Sequence, residues 1–178
     1  MKKIVLAFFI LFLTTTSFSQ GPIAKGQGQF NAGVGMSNWG LPVYVGFDFG
    51  IHQDITIGAE VSFRSYTDHY KDYRYTHSIF GVSGNVNYHF NSLLNIPQNW
   101  DFYAGLNVGF YHWNSPTIYY GQHYSGMGIG AQVGGRYYFN DRFGLNLELG
   151  GGNGFSGGSA LSRRNPFSAG KVGISVRL

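Results

Sequence analysis

The residues best equipped for chemistry are the histidines, and one of them has a serine close by. His123 and Ser125, in the run His123-Tyr124-Ser125-Gly126-Met127-Gly128, stand two apart, the spacing that places both side chains on one face of a β-strand. A histidine within hydrogen-bond reach of a serine can activate it as a nucleophile, provided a third group orients the base. Glu148 lies on the next segment, but the alternation described below turns it to the opposite face. His69, His77, His112 and His123 suggest a metal site instead. Two of them would have to converge from different loops, and none forms a close pair at ligand spacing. Loop histidines are commonly solvated, so no metal and no cofactor is expected. A second set is ionic: Asp48, Glu60, Arg64, Arg136, Glu148, Lys171 and Arg177. These seven share no linear motif. What unites them is their parity within the elements that carry them.

Those elements are strands. From Met127 to Phe139, Met127, Ile129, Ala131, Val133, Tyr137 and Phe139 alternate with Gly128, Gly130, Gln132, Gly134, Arg136 and Tyr138. After a tight turn at Asn140, Asp141 and Arg142, Phe143, Leu145, Leu147 and Leu149 alternate with Gly144, Asn146, Glu148 and Gly150. A period of two over both arms marks a hairpin with one apolar and one polar face. The same pattern gives strands from Phe30 to Met36, Val43 to Ile51, Ile55 to Arg64, Phe80 to Phe90, Trp100 to Tyr111 and Lys171 to Leu178. Gln20 to Gln29 reads as a polar, flexible lead-in and His52 to Asp54 as a tight turn. Tyr66 to Tyr75 and Trp113 to Tyr124 read as aromatic exposed loops. Asn91 to Asn99 is a longer turn whose Leu93, Leu94 and Ile96 are placed against a membrane interface, and Gly151 to Pro166 is a mobile loop. The fold class expected is all-β: an eight-stranded antiparallel transmembrane up-and-down β-barrel.

Composition agrees. Aromatic residues make up 18% of the chain and charged residues only 11%, where soluble proteins carry about a quarter charged. Residues 1–19 read as a signal peptide, with Lys2 and Lys3, an apolar run from Ile4 to Leu13 and a small-x-small site at Ser17-Phe18-Ser19. The barrel domain is expected over residues 20–178. Setting Lys2 and Lys3 aside leaves ten basic and eight acidic residues, which gives no support for nucleic-acid binding. The absence of cysteine excludes disulfides and thiolate zinc sites. No later run of 18 apolar residues offers a spanning helix, so a membrane location requires a closed barrel.

Apolar residues alone fix the phase of each strand, and all seven ionic residues then fall on the inner face. A wrong register would have placed basic side chains in lipid at about 2–4 kcal/mol each. A soluble lipocalin-type barrel would need the opposite polarity. Tyr88, Phe90, Trp100, Phe102, Tyr137, Phe139 and Phe143 lie outside near the short turns and form an aromatic girdle at the periplasmic interface. Tyr66, His69, Tyr70, Tyr73, Tyr119, Tyr120 and Tyr124 occupy the loops, either as recognition residues or as an upper interfacial belt at the polysaccharide headgroups.

These features resemble the family of small outer-membrane β-barrel proteins of the A and X type. The resemblance covers Phe30 to Leu178 and rests on eight alternating strands, the inner Glu/Arg/Lys set and the final strand KVGISVRL. It implies a location in the cell outer membrane, with outer-membrane lipid and lipopolysaccharide as surroundings. It also implies that the last strand is read by the barrel-assembly machinery, although the family usually closes on Phe and this chain closes on Leu178. The function expected is structural or interactive, not enzymatic, with a plugged polar interior and outer loops that meet an unknown extracellular ligand. Arg163 and Arg164 would face lipopolysaccharide phosphates. Inward glycines leave a narrow pore as one alternative. The other is a hydrolase, because His123 and Ser125 are similar to the His-x-Ser motif of lipid A deacylase barrels. In that motif the serine is followed by Asn, where this chain has Gly126.

Overall fold

The computed structural model describes residues 23–37, 40–70, 73–114, 124–155 and 167–178. The expected signal peptide and Arg163 and Arg164 lie outside them. Eight strands run in chain order: β1 (Gly28–Met36), β2 (Val43–His52), β3 (Ile55–Tyr70), β4 (Tyr73–His89), β5 (Trp100–Asn114), β6 (Tyr124–Tyr138), β7 (Phe143–Phe155) and β8 (Gly170–Arg177). A single turn of helix, α1 (Asn91–Leu94), joins β4 to β5. Each strand pairs antiparallel with the next, and β8 returns to β1, closing the sheet into a barrel. Closure leaves the wall without an open edge, the requirement for a sheet that must shed water.

Alternation divides the wall into two chemistries. Leu106 is 69% exposed on the outside, while Asp101 and Gln29 are fully buried inside. This polarity is the reverse of a water-soluble barrel and excludes the lipocalin-type reading. On β5 the outward apolar positions run from Trp100 to Phe110. Ten steps at about 3.3 Å, tilted by roughly 40°, give a band about 25 Å tall.

The start of β1, the end of β8, the tight turns after β2 and β6, and α1 share one end of the barrel, here the terminal end. In the turn after β6, Asn140 Oδ1 accepts from the backbone N–H of Arg142 (2.9 Å) and Phe143 (2.8 Å), the short-range bonding that makes Asn a turn former. At the opposite, loop end the wall is uneven. β3 to β6 span 15 to 17 residues, whereas β1, β2 and β8 span 8 to 10. Pairing of β2 with β3 ends at Val43 and Phe63, and pairing of β4 with β5 at Ser78 and Asn114. Beyond those points β3 and β4 continue as a ribbon to the Tyr70–Tyr73 pair.

Five connections differ from the sequence reading. Of the expected exposed loop Trp113 to Tyr124, Trp113 is a buried residue of β5, which runs to Asn114, and Tyr124 begins β6. Tyr66 to Tyr75 is mostly ribbon. Its Thr and Tyr residues favour extended backbone, but outside the bilayer neither face needs to be apolar, so no alternation marks it. Gly151 to Phe155 extends β7, paired with β6 as far as Met127–Phe155. The Asn91 to Asn99 turn contains α1, stopped by Asn95 in the left-handed region at φ 51° and anchored by Asn91 Nδ2 donating to Trp100 O at 2.6 Å. The lead-in is docked in its described part. Ile23 is buried, and Gly26 N–H donates to Gly50 O (2.8 Å) while Gly50 N–H donates to Gln27 O (2.9 Å).

Candidate functional site

The interior is filled in three tiers. In the tier nearest the terminal end, Arg136 lies between two carboxylates, with Nη2 2.7 Å from Asp48 Oδ2 and Nη1 3.0 Å from Asp101 Oδ2. Asp101 Oδ1 also holds His89 Nδ1 at 2.7 Å, and His89 Nε2 meets Thr56 Oγ1 at 3.0 Å. Asn31 donates to Asp48 at 2.9 Å and Ser175 to Asn31 at 2.7 Å, and the Gln29 amide is hydrogen-bonded to the Tyr138 hydroxyl. A buried guanidinium with two carboxylates has its charge and its forked donors answered together. The Arg136 side chain also lies over the Tyr103 ring at 4.3 Å.

The middle tier repeats the arrangement with an ammonium. Lys171 Nζ sits 2.8 Å from Glu60 and 2.9 Å from Glu148, and Tyr103 donates to Glu148 at 2.9 Å. Beside it runs a chain of amides: Asn107 donates to Gln132, Gln132 to Asn87 and Asn87 to Asn85, at 2.8 to 3.0 Å. Between the tiers is a cavity of about 20 Å³ touching Asp48, Glu60, Tyr103 and Arg136, enough for roughly one water.

The third tier, near the loop end, is aromatic. Ile79, Tyr111 and Trp113 are buried together, with Tyr66 and Phe167 packed on them. Tyr66 stacks on His77 at 4.8 Å, and Phe167 meets Tyr111 edge-on at 5.4 Å. Arg64 is buried at this level.

Inward glycines create room that these side chains fill. A Cβ on Gly134 would stand inside the Tyr103 ring, one on Gly105 would collide with the Asn87 amide, and one on Gly81 with Tyr111. The space read in the sequence as a water file is therefore occupied by neighbouring side chains at these levels.

The seven ionic residues all sit on inner-face strand positions, at different heights. Asp48 and Arg136 belong to the first tier, Glu60, Glu148 and Lys171 to the second. Arg64 lies under the aromatic tier. Arg177 stacks on Tyr138 at 3.3 Å and donates to Gln98 O at 3.1 Å. They resolve into two ion-pair centres, bridged by Tyr103, which lies under Arg136 and donates to Glu148; Arg177 joins the first through Tyr138, and Arg64 lies in neither of the two. Asp101 and His89 were missed as members. Parity was the available signal, since Asp101 stands between the outward Trp100 and Phe102.

The girdle residues gather on the outside of the terminal end. Trp100 lies 4.7 Å from Tyr137 and 5.7 Å from Phe102, Tyr88 lies 5.4 Å from Phe90, and Tyr137 lies 5.7 Å from Phe139. Phe143 is exposed beside them, and the pair Phe30–Phe47, 4.9 Å apart, continues the girdle on β1 and β2. Phe63, Phe80 and Phe110 are exposed toward the loop end and were not foreseen as a second belt.

The recognition set is partly redrawn. Tyr66 turns inward to its aromatic neighbours instead of standing in an exposed loop, because the strand continues through it with unchanged parity. His69, Tyr70, Tyr73 and Tyr124 lie on strand backbone, their side chains outside the described ones, and Tyr119 and Tyr120 lie outside the described residues. His123 is also outside them. Ser125 faces outward, exposed, and its Oγ meets His112 Nδ1 at 2.9 Å. Glu148, on the other side of the sheet, is engaged by Lys171 and Tyr103. His77 turns inward and His112 outward, so those two cannot share a metal. No group of three metal-ligating residues occurs among the described residues.

Known proteins bear on these features as follows. The family described as a domain of unknown function (DUF2715) matches residues 6–178. None of the curated proteins matches the chain. Among solved structures, it is similar to the outer membrane protein OprG of Pseudomonas aeruginosa, at 10% identity over 89% of this chain and 98% of that one, with a TM-score of 0.63. It is similar to the N-terminal β-barrel domain of Pseudomonas aeruginosa OprF at 10% identity, over 86% and 98%, with a TM-score of 0.62. Neisserial surface protein A matches at 12% identity, over 85% and 94%, with a TM-score of 0.56. At these identities the likeness is one of fold: that of small outer-membrane barrels.

Proposed function

We propose that this chain, which belongs to the DUF2715 family, is a non-conducting outer-membrane barrel whose role is structural and interactive. The observation that supports this reading is the filled axis: two ionic tiers and an aromatic tier, with room for about one water between the first two. Outside, the apolar band and its two aromatic belts match the hydrocarbon thickness and interfaces of such a membrane. The terminal end then faces the periplasm, and the β3–β4 ribbon projects from the cell surface, where it meets extracellular partners.

The hydrolase alternative has less behind it. Ser125 is held by His112, and Glu148 is turned away into the barrel, so the nearest strand supplies no orienting acid to the pair. The pore alternative requires water where Tyr103, Arg136 and Lys171 now stand.

Two measurements test the proposal. Refolded protein in planar bilayers is expected to give no steady channels, and reproducible unitary steps would overturn the closed interior. A variant with residues 67–76 replaced by an Asn-Gly turn is expected to keep the barrel while its cells behave like the deletion strain in adhesion and envelope-integrity assays. Wild-type behaviour of those cells would remove the ribbon from the function.

A further inference from the structure

On four adjacent strands the outer surface changes chemistry within one step of the pleat. Phe63, Phe80, Phe110 and Met127 are exposed apolar residues. The next outward positions toward the loop end are Ser65, Ser78, His112 and Ser125, followed by Thr67, Thr76 and Asn114. Strand register makes them one patch: Ser65 opposes Ser78, Ser78 opposes Asn114, and His112 opposes Ser125. All are exposed except the half-buried Ser78. Thr67 and Thr76 are hydrogen-bonded at 3.3 Å and His112 to Ser125 at 2.9 Å. Among the described residues the patch contains no carboxylate, and exposed Arg74 lies on the same outward face of β4.

Two to four pleat steps below the patch, the outer wall has a depression of about 760 Å³. It is a shallow groove left by the small residues Gly84, Ala131 and Gly151 among Val86, Leu106, Val108 and Ile129.

We propose that this wall docks a glycolipid of the outer leaflet, its saccharide headgroup on the hydroxyl patch and an acyl chain in the depression. The occupant follows from continuity. The Phe63–Phe80–Phe110 belt marks where hydrocarbon ends, so the surface directly above it borders the headgroup layer. Hydroxyl, amide and imidazole groups both donate and accept, the bonding that saccharide hydroxyls require. Arg74 suits a phosphate on the sugar. A protein-binding face would instead carry aromatic anchors at its centre, and among the described residues this patch has none.

The proposal rests on the membrane placement above, and the test separates the two. Full-length mature protein is placed in nanodiscs holding equal mole fractions of rough-type lipopolysaccharide and phosphatidylethanolamine, extracted gently and read by native mass spectrometry. Failure to insert at all would sink the placement and this proposal with it. Insertion with equal retention of both lipids would sink this proposal alone. Selective retention of lipopolysaccharide is expected. It should fall about fivefold in Ser65→Ala/Thr67→Val/Thr76→Val/Ser78→Ala, the loss of two modest hydrogen bonds. It should also fall in Ala131→Leu, which fills the depression without touching the interior. Wild-type retention in both variants would overturn the assignment. So would loss of a co-purifying protein with lipopolysaccharide unchanged, which would give the patch to a protein partner.

Discussion

Replacing Arg136 with methionine asks how much the first ionic tier contributes to the barrel. The side chain is 3% exposed and is the only guanidinium contacting Asp48 and Asp101 among the described ion pairs. Methionine keeps much of its length and removes the charge, leaving two buried carboxylates supported by Asn31 and His89. Breaking one buried pair typically costs about 3–5 kcal/mol. Taking about 4 kcal/mol and a urea slope of about 2 kcal/mol per molar, the unfolding midpoint should fall by about 2 M. The assay is reversible urea unfolding in detergent micelles, followed by tryptophan emission and by far-ultraviolet circular dichroism. A second variant, Arg136→Met/Asp48→Asn/Asp101→Asn, removes the stranded charges and should recover about 1 M of the loss, because a neutral buried set escapes most of the desolvation cost. A single-variant shift below about 0.5 M, or a triple variant no more stable than the single one, would refute the reasoning: the tier would then be wet enough for its charges to be screened.

Two further outcomes follow from the packing. Gly134→Val drives its side chain into the Tyr103 ring and should destabilise by about 1–3 kcal/mol, the cost of overpacking; an unchanged urea midpoint would mean that Tyr103 has space to move. Leu93→Cys, labelled with an environment-sensitive dye in a chain that has no other cysteine, should emit as at a lipid headgroup interface and be quenched by shallow spin-labelled lipids; water-like emission would place α1 in the aqueous phase.

The wall was legible because lipid enforces period two on every strand that crosses it. Where that requirement lapses, so does the signal. The ribbon from Thr67 to Thr76 lies beyond the apolar band, and only backbone pairing defines it. Ile23 is a single apolar residue in a polar run, and its burial depends on Gly50 lying against the chain at Ala24, a contact between segments with no local trace. For the interior, parity gave the face of each ionic residue but not its height. Height depends on the stagger between strands, which sets Asp101 opposite Arg136 and Glu148 opposite Lys171. Arg64 and Arg177 share the parity of the others and stand at opposite ends of the axis.

The β1–β8 seam has a temporal consequence. Its eight registered pairs, Gln29–Arg177 to Met36–Gly170, join the first strand to the last, and Ser175 donates across it to Asn31, 144 positions away. Contacts so distant in sequence form late, because the loop they close must first be brought together. Until that moment β1 and β8 each present a bare row of backbone donors and acceptors, and the polar axis has a missing wall. Once the seam has zipped, separating it in hydrocarbon would expose all those groups at once. The persistence of the barrel is then governed by the rate of opening that one seam, and a weakened pair there should shorten the folded lifetime more than an equal loss elsewhere in the wall.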